Sequence, residues 1–111
     1  MLAASDKQSL AVQACIDKIE RWRDDNAHFG VPAPEAAPIL ATLRQTLSTG
    51  KFDDSREGKF CQALARNEFK LTQAETVMLE NRLDPVANLP NVQKFTALIA
   101  EQNDLISKMK L

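Results

Sequence analysis

The sequence predicts an all-α protein: a small helical bundle of about five helices that includes an N-terminal amphipathic helix. Three observations carry this. Glycine is scarce, at 3 of 111 residues, and tyrosine is absent, while Ala, Leu, Gln, Glu and Lys abound. That balance favours helix over sheet. Apolar residues recur at steps of three and four along most of the chain, the period of a helix with one buried face. Ser, Thr or Asp stands three positions before Glu or Gln at several segment starts, the spacing of a capping pair.

The first helix is expected from Ser5 or Asp6 to about Asn26, opened by the pair Ser5 and Gln8. Val12, Cys15, Ile16, Ile19 and Trp22 share one face, and Asp17, Lys18, Arg21, Asp24 and Asp25 share the opposite one. The stretch HFGVPAPEAAP, with Gly30 and Pro32, breaks the pattern. A second helix begins near Pro34 or Pro38, carries Ile39, Leu40, Leu43 and Leu47, and stops at Gly50. A third opens on the pair Asp54 and Glu57, carries Phe60, Cys61, Leu64 and Ala65, and ends around Asn67. In "NEFKLTQAETVMLENRL", Thr72 and Glu75 have capping-box spacing, so a fourth helix is expected to start there and to end at "DPVANLP". The last helix starts near Asn91, with Val92, Phe95, Leu98, Ile99, Ile106 and Met109 as its stripe. Gln102 interrupts that stripe and is expected to mark an exposed or partner-facing turn.

This length suits one domain with one modest core. There is no internal repeat or low-complexity tract. The expected organisation is an N-terminal docking helix over 1–27, a Gly/Pro-rich linker over 28–38, and a helical module over 39–111 that forms a compact block across 34–110. Helix one is then an appendage, and its face Val12, Ile16, Ile19 and Trp22 is the predicted partner-binding site. Trp is enriched at the centres of protein interfaces, although core burial of the same face is an equal alternative.

Chemistry is sparse. His28 is the one histidine, and it stands in the linker. Two cysteines, Cys15 and Cys61, and one histidine give no zinc-ligand spacing. Gly30, Gly50 and Gly58 form no phosphate-cradling loop. Acidic pairs such as Asp24–Asp25 and Asp53–Asp54 sit at helix ends, where capping explains them. No catalytic group, cofactor or metal is therefore expected, and the protein is read as not an enzyme. Two cysteines are too few for a disulfide scaffold, which fits a reducing compartment. The start MLAASDKQSL lacks a basic n-region with a long apolar core, so no secretory signal is expected. No apolar run approaches the roughly 18 residues of a membrane span.

Net charge is −1 and sequence pI about 5.8, against the basic excess of a dedicated nucleic-acid binder. Basic residues do gather around helix three. Arg56, Lys59 and Arg66, at offsets of three and seven, are the candidate nucleic-acid residues, with a solvated helix face as the ordinary alternative. Nucleic-acid contact is accordingly expected to be weak or indirect.

The string FKLTQAE, Phe69 to Glu75, followed by Asn81, Pro85 and TALIAEQNDL (Thr96 to Leu105), resembles a family of stalk proteins of archaeal and eukaryotic RNA polymerases. These are the fourth subunit of polymerase II, its polymerase III counterpart and their archaeal equivalent. Their helical module is similar to the HRDC domain found at the C-terminus of certain helicases and ribonuclease D. The likeness covers about half of the chain, roughly Asp53 to Leu105. It implies an HRDC-like fold, no catalysis, and a stalk heterodimer with an OB-fold-bearing partner of a multi-subunit DNA-directed RNA polymerase. It also implies transcription as the process, a nuclear location if the source is eukaryotic and a cytoplasmic one otherwise. Alternatives are a helical nucleic-acid-binding module or a small structural subunit of an unrelated assembly.

Overall fold

The structure, a computed structural model, describes residues 3–110, with side chains described over residues 8–109. Four α-helices account for nearly all of it: α1 (Ala3–His28), α2 (Ala36–Thr49), α3 (Arg56–Glu80) and α4 (Pro85–Ser107), followed by a 3₁₀ turn, Lys108–Lys110. There is no strand among the described residues. The all-α class is as expected, with four helices in place of about five. The side chain of Ser5, half of the expected first capping pair, lies outside the described side chains.

Helix one is part of the main core. Val12, Cys15, Ile16 and Ile19 are buried together with Ile39, Leu40 and Leu43 of α2 and Cys61, Leu64 and Ala65 of α3. Full burial of a Val, Leu or Ile side chain stabilises by roughly 1.5–3 kcal/mol, so these positions hold α1 firmly on its own chain. The Gly/Pro-rich stretch is a tight reversal and not a tether. Gly30 takes the left-handed conformation (φ 77°), and the amides of Gly30 and Val31 donate to the carbonyls of Ala27 and Asn26 at 3.0 and 2.8 Å. That closure satisfies carbonyls at the end of α1 and returns the chain so that α2 packs on α1. Gly50 ends α2 as expected, with φ 79° and its amide on the Thr46 carbonyl at 2.8 Å.

The third and fourth expected helices are a single one. Helix α3 runs 25 residues without a break, roughly 38 Å at 1.5 Å per residue. Thr72 caps nothing: its hydroxyl donates to the Glu68 carbonyl, one turn back, at 3.1 Å. Burial carries the helix through, because Leu64, Asn67, Glu68, Leu71 and Ala74 continue one inward stripe past the expected break. The actual cap is Ser55, whose hydroxyl accepts from the Gly58 amide at 2.9 Å. It lies one residue after the expected Asp54. The Asp53 carboxylate accepts from both the amide and the hydroxyl of Ser55. A Cβ at Gly58 would run into the Asp53 backbone and carboxyl, so this corner needs glycine.

Helix α4 starts at Pro85, six residues before the expected Asn91. Asp84 is its cap, accepting from the Ala87 amide at 3.2 Å. Pro85 takes the first helical turn, where its missing N–H costs nothing. Pro90 lies inside the helix, and the carbonyl it leaves unpaired belongs to Val86, a residue 85% exposed and open to water.

The molecule measures 44 × 39 × 19 Å, with a radius of gyration of 15.3 Å. A compact domain of this length has a radius near 13 Å, so this one is flat and open. The reason lies in the helix pairing. Helix α3 pairs with each of the others and α1 pairs with α2, while α1 and α4 barely meet. A second, smaller core of Leu71, Ala74 and Leu98, with Phe95 against it, ties the far half of α3 to α4 beyond the cover of α1 and α2.

Candidate partner-binding groove

The predicted docking residues are divided by the fold. Val12, Ile16 and Ile19 are 1%, 4% and 0% exposed, fully occupied within the chain. Trp22 alone reaches a surface. It is half-buried, packs on the edge of the main core, and forms one wall of an open groove. The expected appendage is thus a structural element, and the surface available to a partner is the groove.

The groove, of about 680 Å³, runs between α1 and α4 with α3 as its floor. Leu71 and Thr72 form the floor, Trp22 one wall, and Phe95 and Ile99 the other. It exists because α1 and α4 splay from α3 and, among the described residues, no fifth helix fills the gap. Its charged groups are Lys18, Arg21 and Asp25 on α1 and Glu68 and Glu75 on α3. Glu68 is only 4% exposed. Lys18 Nζ holds it at 2.7 Å from Oε1 and 3.0 Å from Oε2, crossing from α1 to α3. A carboxylate this buried requires such a partner, so Lys18 is committed, and on the rest of the rim the two carboxylates Asp25 and Glu75 outnumber the one cation Arg21.

Below the groove lies a polar knot that joins three helices. Asn67 Nδ2 donates to Gln102 Oε1 at 2.9 Å and to the Leu98 carbonyl at 3.2 Å. Gln102 Nε2 donates to the Leu64 carbonyl at 3.2 Å and faces Cys15 Sγ at 3.9 Å. Gln102 is 1% exposed. The expectation that it faces solvent or a partner is therefore corrected: it is the most buried polar side chain of α4, and Asn67 is its match. Both cysteines are free and buried. Burial, helped by the Glu68 charge, pushes the Cys15 thiol up to about 12, and burial with Asp53 and Glu57 nearby does the same to Cys61. Thiols held neutral in this way are poor nucleophiles.

Arg56, Lys59 and Arg66 are all exposed and share the outer face of α3, as their spacing implies. His28 is exposed at the end of α1, edge-on to Phe29 at 5.4 Å between ring centres. Among the described residues no group of three or more His, Cys, Asp or Glu side chains is arranged to hold a metal ion. No helix there is long and apolar enough to cross a membrane. The turn between α3 and α4 displays a second apolar surface, with Leu83 and Val86 90% and 85% exposed.

Sequence reasoning found Trp22 but missed the residues opposite it. Phe95 and Ile99 sat in the stripe of the last helix and read as core. Glu68 drew no reading of its own. A charged residue on the inward stripe of a helix, between Leu64 and Leu71, was the available signal.

Comparison with known protein families, with curated proteins and with solved structures returns no match.

Proposed function

We propose that this chain is a non-catalytic interaction subunit that seats an amphipathic helix of a partner protein in the α1–α3–α4 groove. The observation that carries this is the open groove itself, where Trp22, Leu71, Phe95 and Ile99 line a trough between two splayed helices. Helix-in-groove recognition needs apolar walls of this kind, with residues at i, i+3, i+4 and i+7 of the guest as anchors. A Trp on the wall is the type of side chain that carries binding energy. Asp25 and Glu75 on the rim call for Lys or Arg flanking the guest's apolar stripe.

In its most specific form the partner is the OB-fold-bearing stalk protein of a multi-subunit RNA polymerase, and residues 34–110 belong to an HRDC-like module. That form rests on the Phe69–Glu75 string. Asn81 at the end of α3 and Pro85 at the start of α4 stand where the pattern needs a helix end and a proline-bearing turn. Thr72 does not, since it lies within α3 where the pattern needs a cap.

Affinity purification with mass spectrometry tests both levels. Wild type, Phe95→Ala with Ile99→Asp, and Leu83→Asp are compared. A protein retained by wild type and by the Leu83 variant, and lost from the groove variant, supports the groove. Equal recovery with all three removes it. A groove-dependent partner without an OB fold removes the stalk form and leaves the adaptor reading in place.

A further inference from the structure

Helix α4 departs from the usual division of a surface helix into an apolar and a charged side. Of its 23 residues only Lys94, Glu101 and Asp104 are charged. It lies at the edge of the flat molecule, packed on α3 and hardly touching α1 or α2. Its outward side carries Val86, Leu89, Pro90, Gln93, Ala97 and Ala100, all exposed. At 3.6 residues per turn these six fall within about 100° of one another, and no charge stands among them. Lys94 and Glu101 flank this face along one edge, about 140° or more around the helix from Ile99 on the groove wall. Both are exposed, and among the described residues neither enters a salt bridge. Lys94 shares a cleft with Lys70 that no carboxylate lines, so the positive charge there is unanswered within the chain. Asp104 is held by Lys108 at 3.2 Å.

We propose that the outward face of α4 packs antiparallel against the same face of a second copy of this chain, about a two-fold axis at Ala97. The charges fix this register. In such a pair residue 94 of one copy is level with residue 100 of the other, about 1.5 Å along the axis from Glu101. Lys94 and Glu101 lie within about 20° of each other around the helix, and an antiparallel two-fold keeps them on the same side of the seam. Each Lys94 therefore meets the other copy's Glu101, and symmetry makes the contact twice. A parallel pair would put them on opposite sides. Ala97 on the axis and Ala100 beside it let the helices approach to the short end of the usual range of about 8–10 Å. Pro90 and Gln93 pack over these alanines. Val86 and Leu89 come over the other copy's last turn, where the stem of Lys108 covers them. With a net charge of −1 the two copies repel little. The face runs about 27 Å from Val86 to Asp104, and one helix pair of that length belongs to the interface class below about 1,200 Å². The dimer is therefore weak and reversible. The groove lies on the other flank of α4 and stays open, so this pairing stands whether or not the groove takes a guest.

Sedimentation velocity from about 10 µM to about 1 mM protein, the span in which contacts of this size associate, is the test. Wild type should shift from monomer towards dimer across it. Lys94→Glu and Glu101→Lys each set like charges together at both contacts and should each weaken the dimer about ten-fold or more. An equimolar mixture of the two variants brings opposite charges together at both contacts and should dimerise at least as well as wild type. Both changes in one chain keep the wild-type net charge and should restore self-association. Lys59→Glu has the same net charge as Lys94→Glu but lies on α3, and it should dimerise like wild type. Ala97→Arg sets two like charges on the axis and should abolish the dimer. Circular dichroism confirms that each variant folds, as expected for exposed positions. Monomer throughout the range overturns the proposal. So does self-association of Lys94→Glu equal to that of wild type, or failure of the doubly swapped chain to recover, since either places any contact between copies elsewhere.

Discussion

Asn67 on α3 and Gln102 on α4 meet side chain to side chain at 2.9 Å, 35 residues apart, between the two apolar cores. Each amide also reaches a backbone carbonyl of the opposite helix. The pair fixes the register of the α3–α4 hairpin, because a slip of one residue would bury both amides unmatched, at about 1–3 kcal/mol each.

This contact predicts non-additive stability. Gln102→Leu and Asn67→Leu should each destabilise by about 1–3 kcal/mol, since each strands a buried amide. The double variant should lose much less than the sum, with a coupling of about 1 kcal/mol or more. Urea denaturation of the four proteins checks this. Additive losses would show that the two amides act separately.

The helix caps predict opposite signs at two similar hydroxyls. Ser55→Ala removes a true cap and should cost about 1 kcal/mol. Thr72→Ala replaces a mid-helix threonine with a better helix former and should be neutral or stabilising by up to about 0.5 kcal/mol. Thermal melts compare them. A loss at Thr72 equal to that at Ser55 would mean that α3 is broken near Leu71.

The buried pair predicts an asymmetry. Lys18→Met leaves Glu68 uncompensated and should cost about 2–3 kcal/mol, somewhat below the 3–5 typical of fully buried pairs because the Lys18 side chain is partly in water. Lys18→Met combined with Glu68→Leu should recover most of that loss. Chemical denaturation gives both values, and a double variant as unstable as Lys18→Met would show that the ion pair is not what Lys18 supplies.

Much of the fold was legible because apolar spacing is a local signal. The stripes of Val12 to Ile19 and of Ile39 to Leu43 are buried as their periods require. The break at Thr72 failed because Thr followed three residues later by Glu also fits a helix interior, where the hydroxyl bonds one turn back. Only the continued burial of Leu71 and Ala74 decides between the two. Gln102 was misread because its partner lies on another helix. The docking face was misplaced for a related reason: the residues that cover Val12, Ile16 and Ile19 come from α2 and α3, and nothing in α1 announces them. The groove was illegible altogether, since its width depends on how α1 and α4 diverge.

The thiols predict a pH response. Both are raised from 9.0 to about 12 in the fold, Cys15 by burial and the Glu68 charge and Cys61 by burial and its acidic neighbours. The stabilisation from keeping them neutral is whole below about pH 9 and is lost as pH climbs towards 12, because the unfolded chain ionises first. Native protein at pH 8 should leave both thiols unmodified by a thiol reagent, and denaturant should expose both. Cys61→Ala should be less stable at pH 7 yet decline less steeply above pH 9. Rapid modification of the native protein would contradict the burial of these groups.

The groove is tested most directly by placing a photo-crosslinking amino acid at position 99 on its wall and, separately, at position 83 on the exposed α3–α4 turn. With the partner recovered by affinity purification, the account predicts a crosslink from position 99 to an amphipathic helix bearing Lys or Arg beside its apolar stripe, and little or none from position 83. Crosslinking from position 83 alone would contradict it and move the docking surface to the α3–α4 turn.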